Sequence, residues 1–247
     1  LELLPHAPEL GCTYALPYRY LPEAAASSTG FLSLLYSAWG EDDDFSEKVQ
    51  ALQEVMAATL FGLGPRYQMA VCLYKTSQSG KSQILEIVKG LMPEGCRSSV
   101  PPQSWGDRFE PTHMFGKLLN ICGELSERRM IDGQMFKGII CGEEISGQYK
   151  NKDLFQFQPI ATHWFASNHL PKSMDASEGF NRRWLFLEFN KKAPYGAQIP
   201  DLGKKLLIEE REAITAWAVQ AMPRLIKQKG YTLPPSHYRV KRQLENQ

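Results

Sequence analysis

Residues Val71 to Ser82 read Val-Cys-Leu-Tyr-Lys-Thr-Ser-Gln-Ser-Gly-Lys-Ser. An apolar run comes first, then a loop of mostly small polar residues, then Gly80-Lys81-Ser82. From Lys81 to Leu91 the apolar residues Ile84, Leu85, Val88 and Leu91 fall at helical spacing. This strand–loop–helix order is what a phosphate-binding loop requires. Backbone N–H groups of the loop converge on phosphate oxygens, and the positive end of the helix dipole adds to them. Lys75, Thr76, Ser77, Gln78, Ser79, Gly80, Lys81, Ser82 and Gln83 are therefore the candidate nucleotide-binding residues. Lys81 would neutralise the β and γ phosphates of ATP. The Ser82 hydroxyl would hold Mg²⁺, whose other positions go to waters and phosphate oxygens. The full pattern has a glycine five residues before Gly80, and Lys75 stands there instead. A bulky side chain at that point narrows the loop or changes its angle of approach. Gly-Lys-Ser alone also occurs in ordinary surface turns; the strand before it and the helix after it set this one apart.

Around the loop, short apolar runs alternate with helical patterns. Met69 to Leu73, Leu118 to Cys122, Ile160 to Ala166 and Trp184 to Phe189 read as strands. Strands spaced by helices predict an α/β core with a mostly parallel central sheet. Residues 1 to about 30 are Pro-rich and irregular, with Tyr14, Tyr18 and Tyr20 among them. Phe45, Val49, Leu52, Val55, Met56 and Leu60 then recur at helical spacing. Asp42, Asp43 and Asp44 crowd the N-terminus of that helix, where negative charge suits the dipole. Gly62, Gly64 and Pro65 end it. From Leu202 a second apolar stripe runs through Leu206, Ile208, Ile214, Trp217, Ala218, Met222, Leu225 and Ile226; Pro223 kinks or splits it and Gly230 stops it. The expected division is an N-terminal helical region over 1–64, the α/β core over 65–192 and a C-terminal helical region over 193–247.

The totals bound the partners. The chain of 247 residues is long enough for a substantial core, and 43% hydrophobic residues fit a globular protein. A net charge of +1 excludes a strongly basic DNA-coating protein but not a local basic patch. Apolar runs are short and interrupted, so no membrane partner is expected. Nothing near Leu1 resembles a signal peptide, and the chain reads as a fragment of a longer protein. The five cysteines include no Cys-x-x-Cys pair, which predicts reduced thiols, a cytoplasmic setting and no structural zinc.

A phosphate-loop ATPase needs a second strand that ends in a carboxylate, to orient Mg²⁺ or the attacking water. Leu118-Leu-Asn-Ile-Cys-Gly-Glu124 supplies Glu124, with Glu127 a weaker candidate. A third strand ends in Ala166-Ser-Asn168, whose amide suits sensing the γ-phosphate. Arg182 and Arg183 precede the next strand, where a guanidinium can stabilise charge in phosphoryl transfer, even on a neighbouring subunit. Gly147 to Phe157 reads as a β-hairpin with Lys150 and Lys152 at or near its tip, beside Tyr149. Such lysines suit a single-stranded phosphate backbone. Each segment also has a plain structural reading: a solvated loop, a turn before Pro171, a strand-flanking surface pair and an ordinary turn.

Taken in order, these segments resemble the phage, plasmid and poxvirus primase-helicase family, a superfamily III branch of the AAA+ ATPases. The resemblance covers nearly the whole chain, from Pro5-His6-Ala7-Pro8 and Leu16-Pro-Tyr-Arg-Tyr20 to Trp217 and Pro234-Pro-Ser236. Its strongest part is Gly116-Lys-Leu-Leu-Asn-Ile-Cys-Gly-Glu-Leu125. Phe136-Lys137, Cys141-Gly-Glu143, Tyr149-Lys-Asn-Lys152 and Phe155-Gln-Phe157 follow. Phe165-Ala-Ser-Asn-His-Leu-Pro171 and Asp175 to Arg183 complete it. The resemblance implies an AAA+ P-loop core in a homo-hexameric ring that hydrolyses ATP between subunits and draws single-stranded DNA through its centre, in a bacterial host or virus-infected cell. It assigns Lys81 and Ser82 to the phosphate loop, Glu124 to the second acidic motif, Asn168 to the sensor, and Arg182 or Arg183 to a neighbour's ATP. Lys150 and Lys152 fall on the DNA-contacting hairpin. Many relatives carry a primase or polymerase module upstream. Lys75, Ser77 and Glu143 depart from the family pattern. Lys75 favours an alternative, a non-translocating AAA+ loader or structural ring with a weakened ATP site. A small-molecule phosphotransferase would need an acceptor pocket and a basic lid, for which no segment is evident.

Overall fold

The computed structural model describes residues 4–5, 7–193 and 198–247; His6 of the Pro5–Pro8 segment lies outside the described residues. In chain order the elements are α1 (Thr29–Trp39), α2 (Phe45–Leu60), α3 (Gly64–Tyr67), β1 (Ala70–Lys75), α4 (Lys81–Leu91), β2 (Arg97–Ser98), β3 (Leu119–Cys122) and α5 (Gly133–Cys141). Then come β4 (Ile145–Gln148), β5 (Leu154–Phe157), β6 (Thr162–Ser167), α6 (Glu178–Asn181), β7 (Trp184–Phe189), α7 (Leu202–Glu209), α8 (Arg211–Val219), α9 (Met222–Gln228) and α10 (Pro235–Glu245). One five-stranded sheet runs in the order β2-β3-β6-β1-β7, and every neighbouring pair is parallel. β4 and β5 form a separate antiparallel hairpin.

The strand segments are apolar on both faces because helices cover both. Side chains alternate across a strand, so the strand residues divide between two cores. Val71, Leu73, Ile121, Trp164, Leu185 and Leu187 face one side, with residues of α1, α2, α4 and α8. Ala70, Cys72, Cys122, Phe165, Trp184 and Phe186 face the other, with residues of α5, α6 and α10 and the Trp105 ring. The flanking helical segments meet in the first core, where Phe31 of α1 packs edge-on to Trp217 of α8 with ring centroids 5.1 Å apart.

Carboxylates distant in sequence satisfy two helix N-termini. Glu210 accepts the N–H groups of Gly30 and Phe31 at 2.7 and 2.9 Å, at the start of α1. The approach is so close that a Cβ on Gly30 would lie 2.6 Å from the Glu210 Oε1. Asp44 likewise accepts the Ser236 N–H in the first turn of α10 at 2.7 Å and makes no side-chain cap on its own helix α2. Burial alone would push the Asp44 carboxyl up, but the Ser236 hydrogen bonds and the Lys48 charge outweigh it and hold the group below its ordinary range. The tyrosines of the irregular N-terminal segment act at the opposite ends. Tyr14 donates to the Leu60 carbonyl at 2.6 Å and Tyr18 to the Leu91 carbonyl at 2.8 Å, filling acceptors left free at the C-termini of α2 and α4.

The expected strands and the helices over 45–60 and 81–91 are present, with strand ends shifted by up to two residues. Helices α3, α5 and α6 and the two-residue strand β2 were not expected, and α1 and α10 were not delimited within the helical regions expected at the two ends. The C-terminal stripe is broken twice, at Glu210 and before Pro223, into α7, α8 and α9. All five cysteines are free thiols. Burial pushes Cys72 up to about 12 and Cys122 up to about 11, so both stay protonated at neutral pH. No helix of the described residues is long and apolar enough to cross a membrane.

Glu210→Ala strips two donors at the start of α1 of their acceptor. It is expected to cost about 1–2 kcal/mol, read as a fall in melting temperature, with α/β content by circular dichroism unchanged.

Candidate functional site

Parallel pairing places the carboxyl ends of β1, β3, β6 and β7 on one edge of the sheet, where open α/β sheets bind ligands. The loop after β1 runs into α4 through Gly80, whose φ of +96° sits in the left-handed region. Among the described residues, the backbone N–H groups of Ser77 to Ser82 have no acceptor within the protein. These donors lie at and before the N-terminus of an eleven-residue helix, the arrangement that suits an anion. Ser79 Oγ donates to the Thr76 carbonyl at 2.7 Å and closes the loop on itself.

Lys81 is buried, and its ammonium makes three hydrogen bonds. It donates to the carbonyls of Lys75 and Thr76 at 3.0 and 2.6 Å and to Asn168 Oδ1 at 2.8 Å. Burial lowers the Lys81 pKa, so a bound anion would favour its charged form. Tertiary structure thus brings together two sequence-selected residues 87 positions apart. Asn168 follows β6, and β6 pairs directly with β1. Glu124 follows β3 by two residues and is exposed. The Leu125 N–H donates to the Ala166 carbonyl at 3.2 Å, which holds the Glu124 segment alongside the end of β6. Ser82 and Gly123 line one cleft of about 530 Å³, with Leu85, Arg97, Ser98 and Ile121. Ser82 therefore lines the same cleft as Gly123, the residue before Glu124. Gln83 is turned elsewhere: its Oε1 accepts the Gly203 N–H of α7 at 2.7 Å.

Lys75 holds a φ of +92°, a conformation costly for a residue with a Cβ. Its side chain leaves the loop toward β7, where Nζ donates to Glu188 Oε1 and Asn190 Oδ1, both at 2.9 Å. Of the two effects expected from its bulk, narrowing of the loop is not what this side-chain direction produces. Glu188 and Asn190 were not singled out from sequence. A signal existed: Glu188 is a lone charge in the apolar run Trp184 to Phe189, and buried charges need partners.

The arginine pair separates. Arg182 is exposed, and among the described residues its side chain has no hydrogen-bond or ion-pair partner. Arg183 is buried: Nε and Nη2 donate to Cys141 Sγ at 3.3 and 2.9 Å, and Nη1 donates to the Gly179 carbonyl. Lys150 and Lys152 lie apart from the loop, exposed on the turn between β4 and β5, with Asn151 at φ +62°. Next to them Tyr149 stacks on Phe155 with centroids 5.6 Å apart and planes 17° apart, and Phe155 stacks in turn on Phe157. Tyr149 stays half exposed. Thr112 Oγ1 anchors the hairpin by accepting the Gln148 N–H at 2.8 Å.

A family model described only as a family of unknown function (DUF5906) matches residues 73–183. That span opens inside β1 and closes on Arg183, so it holds every candidate residue above. A comparison with curated proteins finds no match. Among solved structures, the A form apo structure of the NrS-1 C-terminal region superposes on 93% of this chain and 53% of its own, with a TM-score of 0.62 and 15% identity. An apo structure of NrS-1 residues 305–718 gives a TM-score of 0.55 at 15% identity over 87% of this chain and 53% of its own. The A form of the 305–718 region gives 0.55 at 17% identity over 83% and 46%. The chain spans about half the length of these structures. At such identities the likeness is one of fold.

Arg183→Ala empties a buried site and is expected to cost about 2 kcal/mol, about 5 °C for a chain of this length. Arg182→Ala should leave the thermal midpoint unchanged in the same melt.

Proposed function

We propose that the chain is the ATP-hydrolysing helicase module of a phage- or plasmid-type replication protein. One observation carries the reading: a buried lysine at the start of α4, bonded to the amide that ends the neighbouring strand, under a loop of unpaired N–H groups. Polyphosphate oxygens would take the place of the Thr76 carbonyl on Lys81, with the Lys75 carbonyl kept, and accept from the N–H groups of Ser77 to Ser82. Ser82 and Glu124 are the residues that would hold Mg²⁺. Among the described residues, no group of three or more His, Cys, Asp or Glu is placed to hold a metal ion. That sparse donor set fits Mg²⁺, which takes one or two protein ligands and fills the rest from phosphate and water; bound there, the ion neutralises charge on the phosphates. Glu124 orients the attacking water, and Asn168 hydrogen-bonds the γ-phosphate while keeping Lys81 in place. Arg182, exposed and unengaged, is the member of the pair suited to a neighbouring subunit's ATP. Arg183 fixes the geometry from inside.

Lys150 and Lys152 would neutralise phosphates of single-stranded DNA, and the free side of Tyr149 offers a ring for a base to stack on. Assembly as a homo-hexamer, with a primase or polymerase module upstream, is part of this proposal. A non-translocating loader with a weakened ATP site is the second reading, favoured by the lysine at the glycine position of the loop. Stimulation of ATPase by single-stranded DNA supports the helicase; ATP binding without stimulation supports the loader.

Lys81→Ala and Glu124→Gln should each abolish ATP turnover, measured as phosphate release with and without single-stranded DNA. Hydrolysis by Lys81→Ala at the parent rate would remove the loop assignment. Lys150→Ala combined with Lys152→Ala should weaken binding to an oligothymidine and lower the slope of log K against log salt by about 1.4. An unchanged slope takes the hairpin off the DNA path.

A further inference from the structure

Glu188 is a carboxylate with 3% of its side chain exposed, and two cations share it, one on each oxygen. Lys75, the first residue of the phosphate loop, donates to Oε1 at 2.9 Å. Arg239, from the C-terminal helix α10, donates to Oε2 at 2.5 Å. The backbone around Glu188 is held as well, since buried Lys48 of α2 donates to its carbonyl at 2.9 Å. Lys48 itself pairs with Asp42 at 2.6 Å, and Asp42 accepts from Asn190, the second partner of Lys75, at 3.2 Å. The carboxylate is buried and fixed, while Lys75 and Arg239 reach it from the surface with 48% and 56% of their side chains exposed.

The same lysine bears on the phosphate loop through its backbone. Its carbonyl accepts from the Lys81 ammonium at 3.0 Å, and its φ of +92° sets the direction of that carbonyl. Glycine adopts such a φ freely and lysine does not. Something outside the loop has to hold Lys75 there, and the Glu188–Asn190 pair is what its side chain reaches. Tyr74 and Glu188 are paired residues of β1 and β7, so the distance the lysine must span is set by the sheet itself.

We propose that Lys75 is a positioning residue for the nucleotide site: its ion pair with Glu188 does the work a glycine would otherwise do, and Arg239, sharing that carboxylate, couples the docking of α10 to the affinity of the loop for polyphosphate. The proposal rests on the reading of residues 75–83 as a phosphate loop. Loss of the ion pair frees Lys75 to relax toward negative φ and swings its carbonyl away from Lys81. Glycine at position 75 makes the clamp unnecessary.

The test measures Kd for a fluorescent ATP analogue on the full chain, and amide exchange at Thr76, whose N–H donates to the Phe189 carbonyl at 3.2 Å, in a set of variants. Lys75→Ala should weaken binding about tenfold, the equivalent of the strain it leaves unopposed, and Lys75→Gly should recover most of that loss. Glu188→Gln should weaken binding about tenfold and Arg239→Ala about threefold. Both effects should vanish in the Lys75→Gly background, which is the signature of coupling through Lys75. Circular dichroism checks that each variant is folded. Equal affinity of Lys75→Ala and parent, or the same loss from Glu188→Gln in both backgrounds, overturns the proposal, the latter because it marks a merely structural role. A parent that binds no nucleotide removes the phosphate reading instead. The clamp is then judged by exchange alone: it requires faster exchange at Thr76 in Lys75→Ala and Glu188→Gln but not in Lys75→Gly, and it fails otherwise.

Discussion

The three hydrogen bonds of the Lys81 ammonium hold the edge of the sheet together. One cation joins the end of β1, the loop that follows it, the first turn of α4 and the end of β6. A buried ammonium has three protons to satisfy, and here two loop carbonyls and one side-chain amide satisfy them. The cost of burying the charge is met by dipoles and not by a carboxylate, so the site keeps an excess positive charge. The unpaired N–H groups from Ser77 to Ser82 add to that excess. An anion is the ligand that such a field selects.

Charge placement organises the rest of the molecule in the same manner. Glu54 is fully buried on α2, yet its two oxygens take Arg224 Nε at 2.6 Å, the Thr232 N–H at 2.6 Å and the Thr232 hydroxyl at 2.9 Å. Glu210 caps α1 and Asp44 caps α10, each from a distant part of the chain. These contacts lock the N-terminal and C-terminal helical regions to each other. Buried carboxylates with complete partners specify one arrangement, because any slip would leave a charge unpaired in a low dielectric.

Long, regularly patterned elements were legible in the sequence. α2 and α4 show their apolar stripes directly, and four strands show as apolar runs between turn residues. α10 was not legible because only Ser236, His237, Val240 and Leu244 are buried along its eleven residues, too thin a stripe to stand out. β2 has two residues and no pattern to read. The break at Glu210 hides inside a continuous apolar rhythm, and the reason for it is tertiary: the carboxylate there is committed to the α1 N-terminus. The loop, Glu124 and Asn168 could be picked out by residue type and by position at strand ends; the two arginines instead precede β7, at the other edge of the sheet from the loop.

What the sequence determined by itself was local: a strand, a loop and a helix around Gly80-Lys81-Ser82, and polar residues closing apolar runs, since propensity and period act over a few residues. The structure alone decided which of these meet. Parallel pairing of β1 with β6 set Lys81 on Asn168, pairing of β1 with β7 gave Lys75 its buried carboxylate, and packing on Cys141 turned Arg183 inward while Arg182 stayed in solvent. Those outcomes depend on strand order and on where a charge can be desolvated with partners. Both are properties of contacts between residues 42 to 113 positions apart, and no local pattern encodes them.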